Sequence, residues 1–161
     1  MRMKRCNHAK VVFESRSVNE NFARTVVAGF VAVLDPTIAE LTDIKTAVNE
    51  AVTNCIVHAY PDRPGEIVLD LGIYENGQLR VAVTDHGCGI ADVARAMTPL
   101  FTTGAAGERS GLGFSVMESF MDSLRVTSKP GKGTRVVMTK IFLNEFLARR
   151  QNCQHKTPFL Y

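Results

Sequence analysis

The sequence has no long apolar run: its longest stretch without a polar or charged side chain is the nine residues 26–34. A helix needs about 20 apolar residues to cross a bilayer, so we expect no membrane span. The basic N-terminus, MRMKRCNHAK, is not followed by an apolar segment, which argues against a secretory signal. We therefore expect a cytoplasmic protein.

The cysteines are few and form no framework. Cys6, Cys55, Cys88 and Cys153 include no CxxC pair, and this usage favours a reducing compartment. Cys55 falls within an apolar helical pattern, where a free thiol behaves as a small hydrophobe. His86 and Cys88 are spaced like metal ligands, but no other cluster completes a site.

Several common catalytic motifs are also absent. GKGT, at residues 131–134, resembles the end of a P-loop, but Lys132 is followed by Gly133 where Ser or Thr is required. The sequence has no HRD or DFG motif, so the ordinary protein-kinase machinery is excluded. It contains no GxSxG or HExxH motif either.

The basic excess is confined to the two ends of the chain. The net charge is +3, but four Lys and Arg lie in residues 1–10 and three in residues 142–161. Residues 11–141 hold 12 basic and 15 acidic residues. A protein that binds a nucleic-acid backbone needs basic residues on its folded body. This distribution disfavours a basic-tailed nucleic-acid binder, and we expect no direct contact with nucleic acid.

The length and composition are those of one globular domain. The 161 residues are 45% apolar and 22% charged, which is enough to bury a sizeable core. No internal repeat or interdomain linker interrupts residues 1–161. We predict an ordered core over about residues 10–141 and assign no role to the tail, residues 142–161.

Two long helices are predicted in the first half of the chain. The first covers residues 17–34 and begins at Ser17, with Glu20 at the capping-box position. Asp35, followed by a proline, is a suitable N-cap for the second helix. This second helix is expected over about residues 37–59.

The remaining elements are mostly hairpins. Residues 67–85 read as two strands around Asn76-Gly77, a type I′ turn signal. Further strands are predicted at residues 10–16 and 123–142, and GLGFSVMESFMD begins a third helix. This order disfavours a parallel, doubly wound sheet. We predict an α+β, two-layer sandwich whose mixed, mostly antiparallel sheet carries helices on one face.

Three clusters carry residues capable of chemistry. Glu50, Asn54 and His58 are four residues apart, which places them on one face of an otherwise apolar helix. DHGCG, at residues 85–89, directly follows a predicted strand. GERSGLGF, at residues 107–114, is a glycine-rich segment opening a helix, whose N–H groups favour an anion. Alone, each has an ordinary explanation: a polar helix edge, a turn and a surface loop.

In combination the clusters are far more specific. The ordered motifs ExxxN, DxGxG, GxG opening a helix and GxGT before the last strand resemble the Bergerat-type ATP-binding fold of gyrase, Hsp90, MutL and histidine kinases. EAVTNCIVHAY, PLFTT, ERSGLGFSVMESFMD and SVNENFAR are similar to the anti-sigma F factor family of sporulation serine kinases. The resemblance covers about residues 10–141.

This resemblance implies a site for ATP and Mg²⁺. Asn54 would be a ligand of Mg²⁺, since a neutral oxygen suits that hard, partly hydrated ion. Glu50 would be the general base that faces the γ-phosphate. Asp85 would accept the adenine amino group, Gly89 would leave room for the base, and Thr134 would support the adenine contact.

The resemblance also implies a lid over the phosphates, in which Arg109 neutralises negative charge. GAAG stands before Glu108 where relatives often carry a basic residue and a proline, so a looser lid is expected. His58 is interpreted as a structural hydrogen-bonding residue at the end of its helix. The nucleotide-binding residues of this region would be Thr103, Arg109, Ser110, Gly111, Leu112 and Gly113.

Two protein partners and a homodimer are implied as well. The chain would inhibit a sporulation sigma factor and phosphorylate a serine of an anti-anti-sigma factor, with Arg24 docking a partner. The alternative is a nucleotide-gated sigma-binding module with little or no kinase activity, its weakened lid having lost the chemistry. Four apolar residues of the first helix would be core or dimer contacts: Val26, Val27, Phe30 and Val31.

Overall fold

Five strands and four α-helices make up residues 3–98 and 112–142, the part of the chain that the computed structural model describes. A 3₁₀ turn, Ala32–Leu34, follows the first α-helix, and a π-helical turn, Cys55–Ala59, follows the second. In chain order the elements are β1 (Arg5–Glu14), α1 (Val18–Val31), α2 (Ile38–Asn54), β2 (Glu66–Tyr74), β3 (Gln78–Asp85), α3 (Val93–Ala96), α4 (Gly113–Phe120), β4 (Ser123–Lys129) and β5 (Gly133–Ile141).

The strands form one sheet in the order β1-β2-β3-β5-β4. All four pairings are antiparallel, so the described strands include no parallel pair of the kind a mixed sheet would have. Together with the helices, this antiparallel sheet confirms the predicted α+β class. Alternate residues of β2 and β3 are buried in one core with α1, α2 and α4. The helices therefore cover a single face of the sheet, as the alternation of apolar residues requires.

Helix α2 is the centre of this core. Ile44, Ala47, Val48, Ala51 and Val52 are each fully buried and recur at the spacing of one helix face. The helix packs between α1 and α4, with β3 beneath it. Its apolar stripe thereby fixes the direction in which its remaining polar residues point.

The four apolar residues of α1 that were predicted to be core or dimer contacts lie in the core or pack against it. Val27 and Val31 are fully buried, and Val26 and Phe30 pack against the same core while partly exposed. Of the two interpretations of these four residues, the structure supports core packing.

Neither predicted cap makes the expected hydrogen bond. Ser17 does lie at the N-cap of α1, but it has helical backbone angles and its side chain makes no capping bond. Asp35 adopts a left-handed conformation (φ 52°) and donates its N–H to Ala32, ending the 3₁₀ turn. The N-cap of α2 is Thr37, whose hydroxyl accepts the N–H of Glu40 while the Glu40 carboxylate accepts the Thr37 N–H at 2.8 Å.

The hairpin between β2 and β3 is confirmed, but its turn is not of type I′. The loop has three residues, 75–77, and Gly77 alone among them has a positive φ (77°). The Gly77 N–H donates to the carbonyl of Tyr74. A type I′ turn needs positive φ at both central residues, whereas this loop places only its glycine there.

Strand β1 begins at Arg5, five residues before the predicted start at residue 10. Its first half pairs with the end of β2, so that Ala9 lies opposite Leu71. Residues 5–8 were not predicted as strand because all four are exposed, and an exposed segment needs no alternation of apolar and polar residues.

Within the described residues, no helix is long and apolar enough to cross a membrane.

The observed capping box predicts a stability difference between two similar hydroxyl residues. Thr37→Ala should lower the free energy of unfolding by about 1 kcal/mol, because it removes the acceptor of the Glu40 N–H. Ser17→Ala is the matched control and should leave that free energy nearly unchanged. Urea unfolding of both variants measures the two effects, and equal losses would contradict the assignment of the cap.

Candidate functional site

The structure brings the described members of the predicted ATP site to one cavity of about 680 Å³. The cavity is bounded by α2 and its π turn, the loop after β3, α3, the start of α4, and β5. Four predicted residues, Thr103, Arg109, Ser110 and Gly111, lie outside the described residues. The predicted residues that line the cavity are Glu50, Asn54, Asp85, Gly89, Leu112, Gly113 and Thr134.

Glu50 and Asn54 face the N-terminus of α4. A Cβ atom placed on Gly113 would lie 3.1 Å from Glu50 Oε2 and 3.5 Å from Asn54 Nδ2. The glycine thus keeps a space between the two polar side chains and the first N–H groups of an eight-residue helix. Such a helix end favours an anion, while the carboxylate and amide opposite it suit a cation or a proton donor.

Asp85 is held by the backbone of two separate segments. Its carboxylate is 3% exposed, and Oδ1 accepts the N–H of Gly87 at 2.9 Å and of Thr134 at 3.2 Å. The hydroxyl of Thr134 instead pairs with Ser128 Oγ at 2.9 Å. Thr134 therefore contacts Asp85 through its N–H, and its side chain joins β5 to β4.

A thiol completes the surroundings of Asp85. Cys55 Sγ lies 3.6 Å from Asp85 Oδ2 and is buried. Burial, followed by the neighbouring negative charge of Asp85, raises the pKa of the Cys55 thiol well above its ordinary value. The thiol is therefore a protonated donor near neutral pH. Cys55 was expected to be only a small hydrophobe, since its sequence neighbours gave no sign of a polar contact.

Hydrogen bonds join the loop after β3 to the end of the π turn. The His86 N–H donates to the Tyr60 hydroxyl at 2.9 Å, and the Cys88 N–H donates to the Ala59 carbonyl at 2.8 Å. Burial raises the pKa of Tyr60, whose hydroxyl also donates to the carbonyl of Glu66. The carbonyl of His58 accepts the Cys88 thiol at 3.0 Å, and His58 also lines the cavity.

The same loop is held on its other side by β4 and by the turn between β4 and β5. Gly89 has a φ of 72°, and a Cβ atom there would overlap the carbonyl oxygen of Lys129, so a side chain cannot be accommodated. The Gly131 N–H donates to the Cys88 carbonyl at 2.7 Å, and the Ile90 N–H donates to Ser128 Oγ. Ser128 lies opposite Thr134 in the register, so the predicted hairpin could have identified it.

The charged groups that line the cavity are mostly acidic. Glu50, Asp85 and Asp92 face it, against Arg95 from α3 among the described cations. Neither Asp92, the N-cap of α3, nor Arg95, within α3, was predicted, because this short helix has no strong sequence pattern. No cluster of three or more metal-ligating side chains occurs in residues 3–98 and 112–142. A cation here would take most of its ligands from phosphate oxygens and water.

Arg24 is not part of this cavity. It is half-buried on α1, donates to Asn21 Oδ1 at 3.3 Å, and lines a separate cavity of about 270 Å³ between α1 and α2. Asn49 Oδ1 is buried there without a hydrogen-bond partner among the described residues. The residues lining this α1–α2 cavity are Arg24, Thr42, Lys45, Thr46 and Asn49.

Comparison with known proteins agrees with the geometry. Residues 13–140 match the family described as the histidine kinase-like ATPase domain, which is the class that the fold and the cavity define. The RsbU and RsbW domains of a Mycobacterium tuberculosis protein share the fold, with a TM-score of 0.62 and 17% identity over 84% of this chain and 32% of that chain.

The similarity to curated proteins is more specific. The anti-sigma F factor of Caldanaerobacter subterraneus subsp. tengcongensis is 58% identical over 83% of this chain and 93% of its own length. That of Thermoanaerobacter sp. is 55% identical over 86% of this chain and 96% of its own length. The chain belongs to the anti-sigma F factor family.

Proposed function

We propose that the chain binds MgATP in the main cavity, inhibits a sporulation sigma factor in the cytoplasm, and phosphorylates a serine of an anti-anti-sigma factor. The observation that carries the proposal is the placement of Glu50 and Asn54 opposite the N-terminus of α4, in the same cavity as the buried carboxylate of Asp85. Membership of the anti-sigma F factor family supports both the sigma-binding and the kinase activity.

Asp85 is suited to bind the adenine end of the nucleotide. Its Oδ2 atom can accept a further hydrogen bond beside that of the Cys55 thiol, and Asp85 lines the cavity. The 6-amino group of adenine is a donor and would complete this carboxylate. Ile90, Phe114 and Val136 offer apolar surface to the base.

Asn54 is suited to hold Mg²⁺ beside the phosphates. The described charged lining of the cavity is acidic, so a bare triphosphate would meet Glu50 and Asp92 unfavourably. The amide oxygen of Asn54 is a neutral ligand of the kind that Mg²⁺ accepts, and the space at Gly113 lies beside it. When bound, the ion would neutralise phosphate charge as the γ-phosphoryl group is transferred.

Glu50 is suited to orient the acceptor hydroxyl. It lies one helical turn before Asn54, and its carboxylate points into the same space at the start of α4. A carboxylate there can accept the proton of a serine hydroxyl as its oxygen attacks the γ-phosphorus and the bond to the ADP oxygen breaks. Because both residues extend from one buried helix, their spacing is fixed before the nucleotide binds.

Partner binding is assigned to Arg24 and the α1–α2 cavity, away from the nucleotide. A half-buried arginine beside Lys45 offers positive charge to an acidic side chain of a partner. Homodimerisation also stays a prediction. A sigma-binding module without kinase activity is not favoured, because the Glu50–Asn54 row lies within the cavity and the relatives are anti-sigma F factors.

The role of Glu50 predicts a loss of turnover without a loss of binding. Glu50→Gln should lower single-turnover phosphorylation of the partner serine by about 10²–10⁴, since it removes the proton acceptor but keeps the shape. MgATP affinity, measured by calorimetry, should stay near wild type. Asn54→Ala is the comparison and should weaken MgATP binding itself. A wild-type transfer rate in Glu50→Gln would exclude Glu50 as the base.

The role of Asp85 predicts a change in base preference. Asp85→Asn keeps Oδ1 as the acceptor for Gly87 and Thr134 but presents an N–H where adenine also presents one. ATP affinity should fall by roughly 1–3 kcal/mol, and GTP, whose 6-oxo group is an acceptor, should lose less. Thr84→Ala, on the opposite face of β3, is the control and should leave the affinities for ATP and GTP unchanged. Equal ATP affinity in wild type and Asp85→Asn would contradict the assignment.

The role of Arg24 predicts a loss confined to protein partners. Arg24→Ala should weaken binding of the sigma factor, the anti-anti-sigma factor or both by about 2 kcal/mol, the size typical of an interface hot spot. ATP affinity and the unfolding transition should not change. Arg16→Ala, which removes an exposed arginine paired with Glu14, is the matched control. Surface-capture affinities that are unchanged for both partners would remove Arg24 from the interface.

A further inference from the structure

The two oxygens of the Asp85 carboxylate have unequal surroundings. An ionised carboxylate oxygen accepts about two hydrogen bonds. Oδ1 already accepts two, from the N–H groups of Gly87 and Thr134. Any further donor, including one on a bound nucleotide, must therefore use Oδ2.

Anchoring Oδ1 alone does not fix Oδ2. The carboxylate can still reorient, because small coupled changes in χ1 and χ2 shift Oδ2 while Oδ1 stays within reach of its two donors. A second contact on Oδ2 would define that plane, and the Cys55 thiol supplies it at 3.6 Å. The contact is shielded from water, since Cys55 is 4% and Asp85 3% exposed.

The position of the thiol is itself fixed by the fold. Cys55 is the first residue of the π turn, and its N–H donates to the carbonyls of Ala51 and Val52. Its side chain lines the nucleotide cavity together with Asp85. The thiol therefore reaches Oδ2 from the π turn that follows α2.

We propose that Cys55 is a specificity-determining positioning residue, whose thiol orients Asp85 so that Oδ2 accepts the 6-amino group of a purine nucleotide. The inference rests on the proposed function, since it assumes that Asp85 binds adenine. The new element is that recognition of the 6-amino group also depends on the Cys55 thiol, a hydrogen-bond donor in the π turn that follows Asn54. Without that donor the carboxylate keeps its place but loses its orientation.

The test compares two nucleotides that differ only at position 6 of the purine ring. Calorimetric titration of the full chain gives dissociation constants for ATP and for purine riboside triphosphate, which has hydrogen in place of the 6-amino group. Their ratio measures what the amino group contributes. In Cys55→Ala this ratio should fall by roughly two- to fivefold, the value of a weak hydrogen bond donated by a thiol, while the affinity for purine riboside triphosphate stays unchanged.

Two further variants separate orientation from packing. Val52→Ala removes buried volume from the same helix without lining the cavity, and it should leave the ratio unchanged. Cys55→Ser keeps a donor and should restore part of the ratio lost in Cys55→Ala. A ratio that falls equally in the Ala and Ser variants would assign the effect to the lost sulfur volume and overturn the proposal.

The outcomes distinguish this inference from the function beneath it. If wild type prefers ATP and Cys55→Ala prefers it as strongly, the inference fails while the adenine contact of Asp85 stands. If wild type binds both nucleotides equally, the adenine contact fails and the inference fails with it. A reduced preference in Cys55→Ala, with Val52→Ala unchanged, supports the role of the thiol.

Discussion

The hydrogen bonds of the buried Asp85 carboxylate are the interaction on which the rest of the site depends. A buried charge is tolerated only when donors surround it, and this one has donors from the loop after β3, from β5 and from the π turn. These three segments are far apart in sequence, and all of them donate a hydrogen bond to this carboxylate. The same contacts that make its burial possible therefore also place the loop, the strand and the helix end around one cavity.

Helix α2 contributes both to the hydrophobic core and to the lining of the nucleotide cavity. Its apolar stripe is fully buried between α1, α4 and the sheet, and the polar row of Glu50 and Asn54 is left at the edge that faces α4. The row cannot turn away without exposing the stripe. Packing of the core thus holds the two polar side chains in position, which is a more rigid support than a loop would give.

The order of elements and the polar row could be predicted because both depend on periodicity within a single segment. The errors concern features that depend on neighbours in space. Ser17 lies at the N-cap of α1 but makes no side-chain capping bond, and the N-cap of α2 is Thr37 rather than Asp35. The contact of Cys55 with Asp85 joins residues 30 positions apart, and no local pattern contains it.

Helix α2 is also the one described element that lines both the nucleotide cavity and the α1–α2 cavity. Asn49 and Glu50 are adjacent in sequence yet face different cavities, because successive helical residues are about 100° apart. The nucleotide cavity and the proposed partner cavity therefore lie on two sides of one closely packed helix and share no lining residue.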